Sequence, residues 1–221
     1  MIKRCLQTYG IQIFNQSVHD ELMDEWSRPD GLKDTLMACR KSWNQRSLAN
    51  YLEEETELFK LCDNLFSSGD AVNMYLRQQE NSGGWYDISH PRHDPFPYPG
   101  LHGYLTEESV LSALGVPVNY SQKSLAVFED FDNSLDIIST GFLDSLGYLL
   151  DSGVKVVMMY GDRDYAGNWV GGEAASLAVP YSRSADFANT GYSPLLTPDG
   201  FSGMTRQHGN FSFTRVFQAG K

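Results

Sequence analysis

The stretch at 154–179 limits the fold of this chain more than any other part of the sequence. It opens on the apolar run VKVVMMY, which Gly161 ends. Two carboxylates, Asp162 and Asp164, lie on the turn that follows, and a segment rich in small residues continues to Pro180. A short apolar run with β-branched residues and a glycine behind it is typical of a buried strand in a parallel sheet. The order strand, acidic turn, helix therefore predicts an α/β fold.

In such a fold the position of the acidic turn has a functional meaning. The carboxyl ends of the strands of an open α/β sheet form the edge at which ligands bind. We therefore expect Val154 to Tyr160 to form a central, nearly fully buried strand with Asp164 at its carboxyl end. A structural alternative stays open, because acidic residues on a turn before a helix often serve only to cap the helix N–H groups.

The segment YGDRDYAGNWVGGEA resembles the region around the catalytic aspartate of the secreted serine carboxypeptidases, whose pattern is roughly G-D-x-D-x-x-x-N-W-x-G. These enzymes are α/β-hydrolases, with the triad in the order Ser, Asp, His, and the fungal carboxypeptidase S1-like branch is the most similar. The resemblance implies that Asp164 is the triad acid and that Asp162 is structural. It also implies that Ala166 and Gly167 border the pocket for the substrate's penultimate side chain. Many members carry a cysteine where Gly167 stands.

The resemblance extends over nearly the whole chain, but it matches only the C-terminal half of such an enzyme. No G-x-S-x-G nucleophile elbow occurs in the 221 residues. The nearest imitation, Ser202 in Gly-Phe-Ser-Gly, falls in a predicted hairpin rather than on a strand-to-helix turn. Ala219 and Gly220 are followed by Lys221 where the family pattern has the catalytic histidine. Because Ser–His–Asp hydrolysis needs all three groups, the resemblance implies a fragment, truncated before the histidine and inactive alone.

Two regions are predicted along the chain. Residues 1–104 are expected to form a mostly helical cap insertion with a return linker, and residues 105–221 the C-terminal part of the α/β-hydrolase domain. The family's cap carries disulfides, and Cys39 and Cys62 are candidates for such a framework. The segment 83–104 holds four prolines and four glycines, and it is therefore expected to be a loop or linker.

Local patterns add elements to both regions. Apolar residues between 18 and 26 repeat at helical spacing, and the segment 142–150 predicts an amphipathic helix closed by Gly153. The turn His-Gly-Asn at 208–210 lies between alternating segments and predicts a hairpin. The residues at 85–87, Trp-Tyr-Asp, resemble the strand by which the family's chain returns to the main sheet.

Composition excludes several classes of function. The formal net charge of −11 argues against nucleic acid or an anionic membrane as a partner, since both need a positive face. Apolar runs are too short for a bilayer, and the first residues lack the apolar core of a signal peptide. His90, His93 and Asp94 are of types that bind metals, but a loop does not specify their geometry. We therefore predict neither a metal nor a cofactor.

Asparagine and cysteine residues bear on glycosylation and on the cellular compartment of the protein. Asn15, Asn119 and Asn210 each begin an N-x-S sequon, which is an acceptor for N-glycosylation in secreted proteins. Together with the resemblance, these sequons favour a secreted or vacuolar parent protein. The odd cysteine count of three fits either a cytosolic chain or one cut from a longer chain.

The resemblance implies a function for the parent protein. It would be a serine-type carboxypeptidase, a hydrolase that releases C-terminal amino acids from peptides or proteins through an acyl-enzyme, with no metal or cofactor. The missing N-terminal half of the hydrolase domain would complete it. Two alternatives stay open: a non-catalytic binding or decoy protein, and an acyltransferase relative that uses the same triad.

Overall fold

The fold is described from a computed structural model of the chain. The described residues are 16–45, 62, 84, 86–90, 99–117, 120–121, 124–133, 141–198 and 200–220. The chain divides into two compact units, one made of residues 1–92 and 140–221 and the other of residues 93–139.

The first unit is built on a sheet of four strands. The strands are β1 (Val156–Gly161), β2 (Ser193–Thr197), β3 (Gly200–His208) and β4 (Phe211–Val216), and their order in the sheet is β1-β4-β3-β2. β1 and β4 are parallel, whereas β4 with β3 and β3 with β2 are antiparallel pairs. The predicted strand and the predicted hairpin are both present, and the fold is α/β as expected.

Three helices of this unit accompany the sheet: α6 (Phe142–Asp151), α7 (Trp169–Ala178) and α8 (Ser184–Asn189). As the spacing predicts, α6 ends just before Gly153, which has φ 82°. The apolar core lies where one face of β1 and β4 meets these helices. Its buried members are Leu150, Val179, Tyr181, Phe187, Phe211 and Phe213, and Phe187 stacks on Phe211 with ring centroids 4.4 Å apart.

The side-chain amide of Asn210 connects this core to the turn before β1. It donates hydrogen bonds to the carbonyl oxygens of Leu150 at 2.9 Å and of Val154 at 2.7 Å. The backbone N–H of Val156 donates to the carbonyl oxygen of Asn210 at 2.9 Å. Asn210 therefore joins the last turn of α6 to the start of β1 and of β4.

The prediction that β1 is a nearly fully buried, central strand is wrong for this chain. Val156, Met158 and Tyr160 face the core and are half-buried, but Val157 and Met159 on the other face are 61% and 64% exposed. β1 also lies at one end of the four-strand order. The strand type and the parallel pairing were inferred correctly. The burial was not, because a parallel strand is covered on both faces only when further layers and strands are present.

In the N-terminal part of the same unit, the described range 16–45 forms the helices α1 (Gln16–Ser27) and α2 (Leu32–Gln45). The apolar pattern predicted α1, and Val18 and Leu22 are buried in it. A disulfide joins Cys39 of α2 to Cys62, a pairing that the sequence left open. The segment at 84–90 is irregular rather than a strand over its described residues.

The described residues of the second unit form three short helices: α3 (Pro99–Leu105), α4 (Glu108–Leu114) and α5 (Leu125–Asn133). α3 corrects the prediction of a loop over its residues, since proline is well tolerated at the first helical position. α4 ends at Gly115, which has φ 65°. The predicted division at residue 104 differs from the division into compact units, and it stays a prediction. Over the part of the chain that the structure describes, none of the helices is long and apolar enough to cross a membrane.

Candidate active site

Asp164 lies on the turn that leaves the carboxyl end of β1, as predicted. Only 8% of the residue is exposed. Its Oδ1 accepts a hydrogen bond of 2.9 Å from the backbone N–H of Gly167. Among the described residues, this is the one hydrogen bond that the carboxylate makes. Asp164 therefore holds its own turn with one oxygen, and its second oxygen accepts no hydrogen bond from those residues.

Capping of the helix after the turn belongs to another residue. The side chain of Asn168 accepts a hydrogen bond of 2.9 Å from the N–H of Gly171 and so occupies the N-cap position of α7. Asparagine is among the preferred residues there, because its oxygen satisfies an otherwise unpaired N–H group. The structural alternative considered for Asp164, a helix cap, is therefore fulfilled by Asn168.

Ala166 and Gly167 complete the turn between Asp164 and α7. Ala166 is exposed and Gly167 is half-buried. A Cβ atom at position 167 would lie 2.9 Å from Oδ2 of Asp164. A side chain at this position would therefore displace the carboxylate, and the glycine leaves room for its present orientation. That these two residues border a substrate pocket stays a prediction.

Asp162 occupies a different environment from Asp164. Only 4% of it is exposed, and its Oδ1 accepts a hydrogen bond of 2.9 Å from the backbone N–H of Gln218. Its Oδ2 lies 3.5 Å from Nη2 of Arg215. Burial raises the pKa of the Asp162 carboxyl, whereas the Gln218 hydrogen bond and the charge of Arg163 lower it, and the net direction is upward. Arg215 and Gln218, which contact the Asp162 side chain, are thus at least 53 residues away in sequence rather than on its own turn.

The segment after β4 runs along the same edge of the sheet. The N–H of Asp162 donates to the carbonyl oxygen of Val216, and the N–H of Arg163 donates to that of Ala219, both at 2.9 Å. A Cβ atom at Gly161 would overlap the backbone of Ala219 and Gly220. The residues that follow β1 and those that follow β4 are therefore packed backbone to backbone, with no room for side chains between them.

A third segment closes this edge. The N–H of Ile88 donates to the carbonyl oxygen of Arg163 at 2.9 Å, and Nη1 of Arg163 donates to the hydroxyl of Ser89 at 3.0 Å. A Cβ atom at Gly220 would overlap the carbonyl oxygen of Tyr86. The residues at 86–89 therefore contact the turn after β1, but they do so as an irregular segment rather than as the strand that the resemblance implied for 85–87, of which residue 85 lies outside the described residues.

Arg215 also belongs to this site and was not identified from the sequence, whereas its partner Trp169 is part of the N-W-x-G pattern. The guanidinium of Arg215, near the end of β4, lies 3.9 Å from the ring centroid of Trp169 and 5.1 Å from that of Phe217. Trp169 is the first residue of α7. Cation–π stacking of this kind is stabilising when the pair is partly desolvated. The signal in the sequence was that Arg215 is the one charged residue of the strand FSFTRV.

The other candidates lie elsewhere. Ser202 lies on β3, where its hydroxyl pairs with that of Thr197 at 2.7 Å, so it occupies no nucleophile elbow. Asn210 uses its amide within the fold, and its glycosylation stays a prediction. Asn15, Asn119 and Lys221 lie outside the described residues.

The described residues around Asp164 are arranged in a way that suits the orienting of an imidazole. A buried carboxylate with an oxygen free to accept a hydrogen bond is what holds a catalytic histidine in the correct tautomer. The chain supplies that carboxylate at the carboxyl edge of a parallel strand pair. Ser89 lies at this edge, where its hydroxyl accepts a hydrogen bond from Arg163, but among the described residues no serine or histidine hydrogen-bonds Asp164.

Comparison with known structures defines the class of fold. The chain is similar to the crystal structure of Kex1(delta)p, a prohormone-processing carboxypeptidase from Saccharomyces cerevisiae, with a TM-score of 0.50 and 18% identity. The similarity covers 86% of this chain and 48% of that one. At this level of identity the match bears on the fold, which is of the α/β-hydrolase type.

Sequence comparison identifies the family. The sequence model of the serine carboxypeptidase family matches residues 3–221, and the chain therefore belongs to that family, whose members are hydrolases. It is 41% identical over 218 residues to carboxypeptidase S1 homolog A of Arthroderma otae and 36% identical over 222 residues to the carboxypeptidase Y homolog of Arthroderma benhamiae. Each match covers 96% of this chain but only 33% and 34% of the relative. The chain thus spans about a third of the length of these curated relatives.

Proposed function

We propose that this chain is the C-terminal part of a serine-type carboxypeptidase in which Asp164 is the acid of the Ser–Asp–His triad. The parent protein would release C-terminal amino acids from peptides or proteins by acyl-enzyme chemistry, with no metal or cofactor. Its serine would come from polypeptide upstream of this chain, and its histidine would follow Gly220. Family membership and the fraction of the relatives that the chain spans support this proposal.

One structural observation carries the assignment of Asp164. β1 and β4 are parallel neighbours, in register from Val156 opposite Phe211 to Gly161 opposite Val216. The chain after each strand therefore leaves the sheet at the same edge, and the two exits are hydrogen-bonded to each other. A histidine placed after Gly220 would thus begin next to the turn that carries Asp164, where its Nδ1–H could donate to the second carboxylate oxygen.

Three further features of the parent are part of the proposal. Its substrates are peptide or protein C-termini rather than nucleic acid or membrane, and it is a secreted or vacuolar glycoprotein. The 221-residue chain alone is inactive, because a carboxylate without nucleophile and base cannot form an acyl-enzyme. The net charge of −11 and the three sequons support the first two features.

A chimera tests the proposal. The upstream part of the Arthroderma otae homolog is joined to this chain, Lys221 is replaced by histidine, and the downstream part of the homolog follows. We expect release of the C-terminal residue from a blocked dipeptide, inhibited by a serine-directed phosphonate. Asp164→Asn should lower kcat by about 10⁴, because the amide favours the wrong imidazole tautomer, as in the serine-protease precedent.

The matched control is Asp151→Asn. Asp151, the last residue of α6, is exposed, and its carboxylate accepts hydrogen bonds from the N–H and the hydroxyl of Ser182. Its substitution should therefore leave kcat within about twofold. Equal losses from the two variants would show that Asp164 is not the triad acid. Transfer of the acyl group to an added alcohol or amine in preference to water would favour the acyltransferase. A folded but inactive chimera would favour the decoy.

A further inference from the structure

The carboxylate of Asp162 joins the turn after β1 to the segment after β4 by hydrogen bonding to the backbone of that segment. Two backbone hydrogen bonds already join these segments, from the N–H groups of Asp162 and Arg163 to the carbonyl oxygens of Val216 and Ala219. The bond from the N–H of Gln218 to Oδ1 of Asp162 lies between them. Three consecutive contacts therefore fix the course of the chain as far as Ala219.

The conformation of Gln218 shows why the carboxylate is needed there. Its φ is 56°, which lies in the left-handed region that residues other than glycine rarely adopt. Such a conformation persists only where the surroundings over-determine it. The carboxylate of Asp162 accepts the N–H of Gln218 in that conformation, so it fixes the reversal that aims Ala219 and Gly220 back at β1.

The carboxylate of Asp162 also has a charged partner, the guanidinium of Arg215. The side chain is 1% exposed, and Nη2 of Arg215 lies 3.5 Å from Oδ2. The guanidinium in turn stacks on Trp169 at 3.9 Å. Buried charges are tolerated when they are paired and hydrogen-bonded. One carboxylate therefore ties together the ends of β1 and β4 and the start of α7, which are the three elements around Asp164.

We propose that Asp162 is a positioning residue: it fixes the segment 217–220 so that the residue after Gly220 is presented to the carboxylate of Asp164. This inference rests on the proposed function, since it matters for catalysis only if that residue is the triad histidine. It assigns different tasks to the two carboxylates of the turn. Asp164 contacts the imidazole, and Asp162 places it.

The test uses the 221-residue chain with Lys221→His and two added glycines, which move the terminal carboxylate away. The pKa of the introduced imidazole is measured by NMR titration. We expect it to lie at least one unit above the free value of about 6.5, because a neighbouring carboxylate favours the charged form. Asp164→Asn should return it to within about 0.3 units of that value, and Asp151→Asn should leave it raised.

Asp162 is then replaced in two ways that remove the same charge. Asp162→Asn keeps a carbonyl oxygen that can accept the N–H of Gln218, whereas Asp162→Ala does not. We expect the imidazole pKa to stay clearly higher in the Asn variant than in the Ala variant, although Asp164 is present in both. This rescue by the conservative variant separates positioning from the direct effect of a lost negative charge.

The outcomes distinguish the inference from the function on which it rests. If the imidazole pKa is the same with and without Asp164→Asn, the assignment of Asp164 as the triad acid is overturned. An imidazole that responds to Asp164 but has the same pKa in both Asp162 variants overturns the positioning role alone. If the Ala variant does not fold, amide exchange in Asp162→Asn decides. Its neutral oxygen keeps the hydrogen bond but accepts it more weakly than a carboxylate does, so the Gln218 amide should exchange about threefold to tenfold faster than in the unsubstituted chain. The Arg163 amide should change by less, and equal changes at both amides would overturn the proposal.

Discussion

Gly161→Ala should destabilise the chain by placing a methyl group where two strand exits meet. An ideal Cβ at this position lies 2.8 Å from the carbonyl carbon of Ala219 and overlaps the carbonyl oxygens of Ala219 and Gly220. These are backbone atoms, which cannot rotate away as the end of a long side chain can. The segment 219–220 must therefore move for the variant to fold.

The magnitude follows from the contacts that this movement breaks. Forcing an extra methyl group into a packed site typically costs about 1–3 kcal/mol. The movement also endangers the hydrogen bonds from the N–H of Arg163 and to Oδ1 of Asp162, each of which contributes roughly 1 kcal/mol net. We therefore expect a loss of about 2–4 kcal/mol. For a chain of this size that corresponds to a drop in Tm on the order of 4–16 °C.

Urea unfolding and amide exchange measure the two parts of this prediction. The control is Gly191→Ala, in the same unit, where a Cβ meets no atom within 4 Å, so stability should change by less than about 1 kcal/mol. In Gly161→Ala the Arg163 amide should lose protection ahead of the core of the sheet. If both variants unfold at the same urea concentration with Arg163 equally protected, the packing of the strand exits described above is incorrect.

Three other outcomes are expected. After expression through a eukaryotic secretory pathway, mass spectrometry should find folded molecules without a glycan at Asn210. A sugar would replace one of the two amide hydrogens that donate to backbone carbonyls, so full occupancy of this sequon would contradict the prediction. The exposed apolar face of β1 should promote self-association, and Val157→Thr with Met159→Thr should weaken it in sedimentation velocity; unchanged association would point to a different surface. Because burial raises the pKa of Asp162, the folded chain binds that proton more tightly than the unfolded chain. The stability of the unsubstituted chain relative to Asp162→Asn should therefore fall as the pH rises from about 4 through the folded pKa, and a difference that does not change with pH in urea titrations would refute it.

The elements that sequence analysis predicted are those whose pattern is local. β1 is a continuous apolar run, and the hairpin of β3 and β4 shows alternation around a glycine turn, so both could be identified without knowledge of their neighbours. α8 and β2 were missed. α8 has six residues, too few to show a helical period, and β2 contains Pro194, which argues against a strand except at an edge. The order of strands places β2 at an edge.

The burial of β1 could not be predicted from its own residues. An apolar run of this kind is typical of a strand covered on both faces, and Val157 and Met159 have the hydrophobicity of such a strand. Their exposure depends on which other segments are present. In a chain that spans about a third of its relatives, the local pattern describes the environment for which the strand is suited rather than the one it has here.

The two carboxylates of the acidic turn show the same limit at the level of the site. Asp162 and Asp164 are two residues apart, so the sequence presents them as members of one turn, and Asp162 was expected to serve that turn. The parallel pairing of β1 with β4 decides otherwise, because it brings the backbone at 218 to the side chain at 162. No local pattern encodes that pairing. Asp164 bonds within its own turn and keeps one oxygen available among the described residues, whereas Asp162 uses its carboxylate across two strands. Asp162, whose partners are distant in sequence, is therefore suited to positioning the segment after β4. Asp164, whose partner is local, is suited to accepting a hydrogen bond from an imidazole.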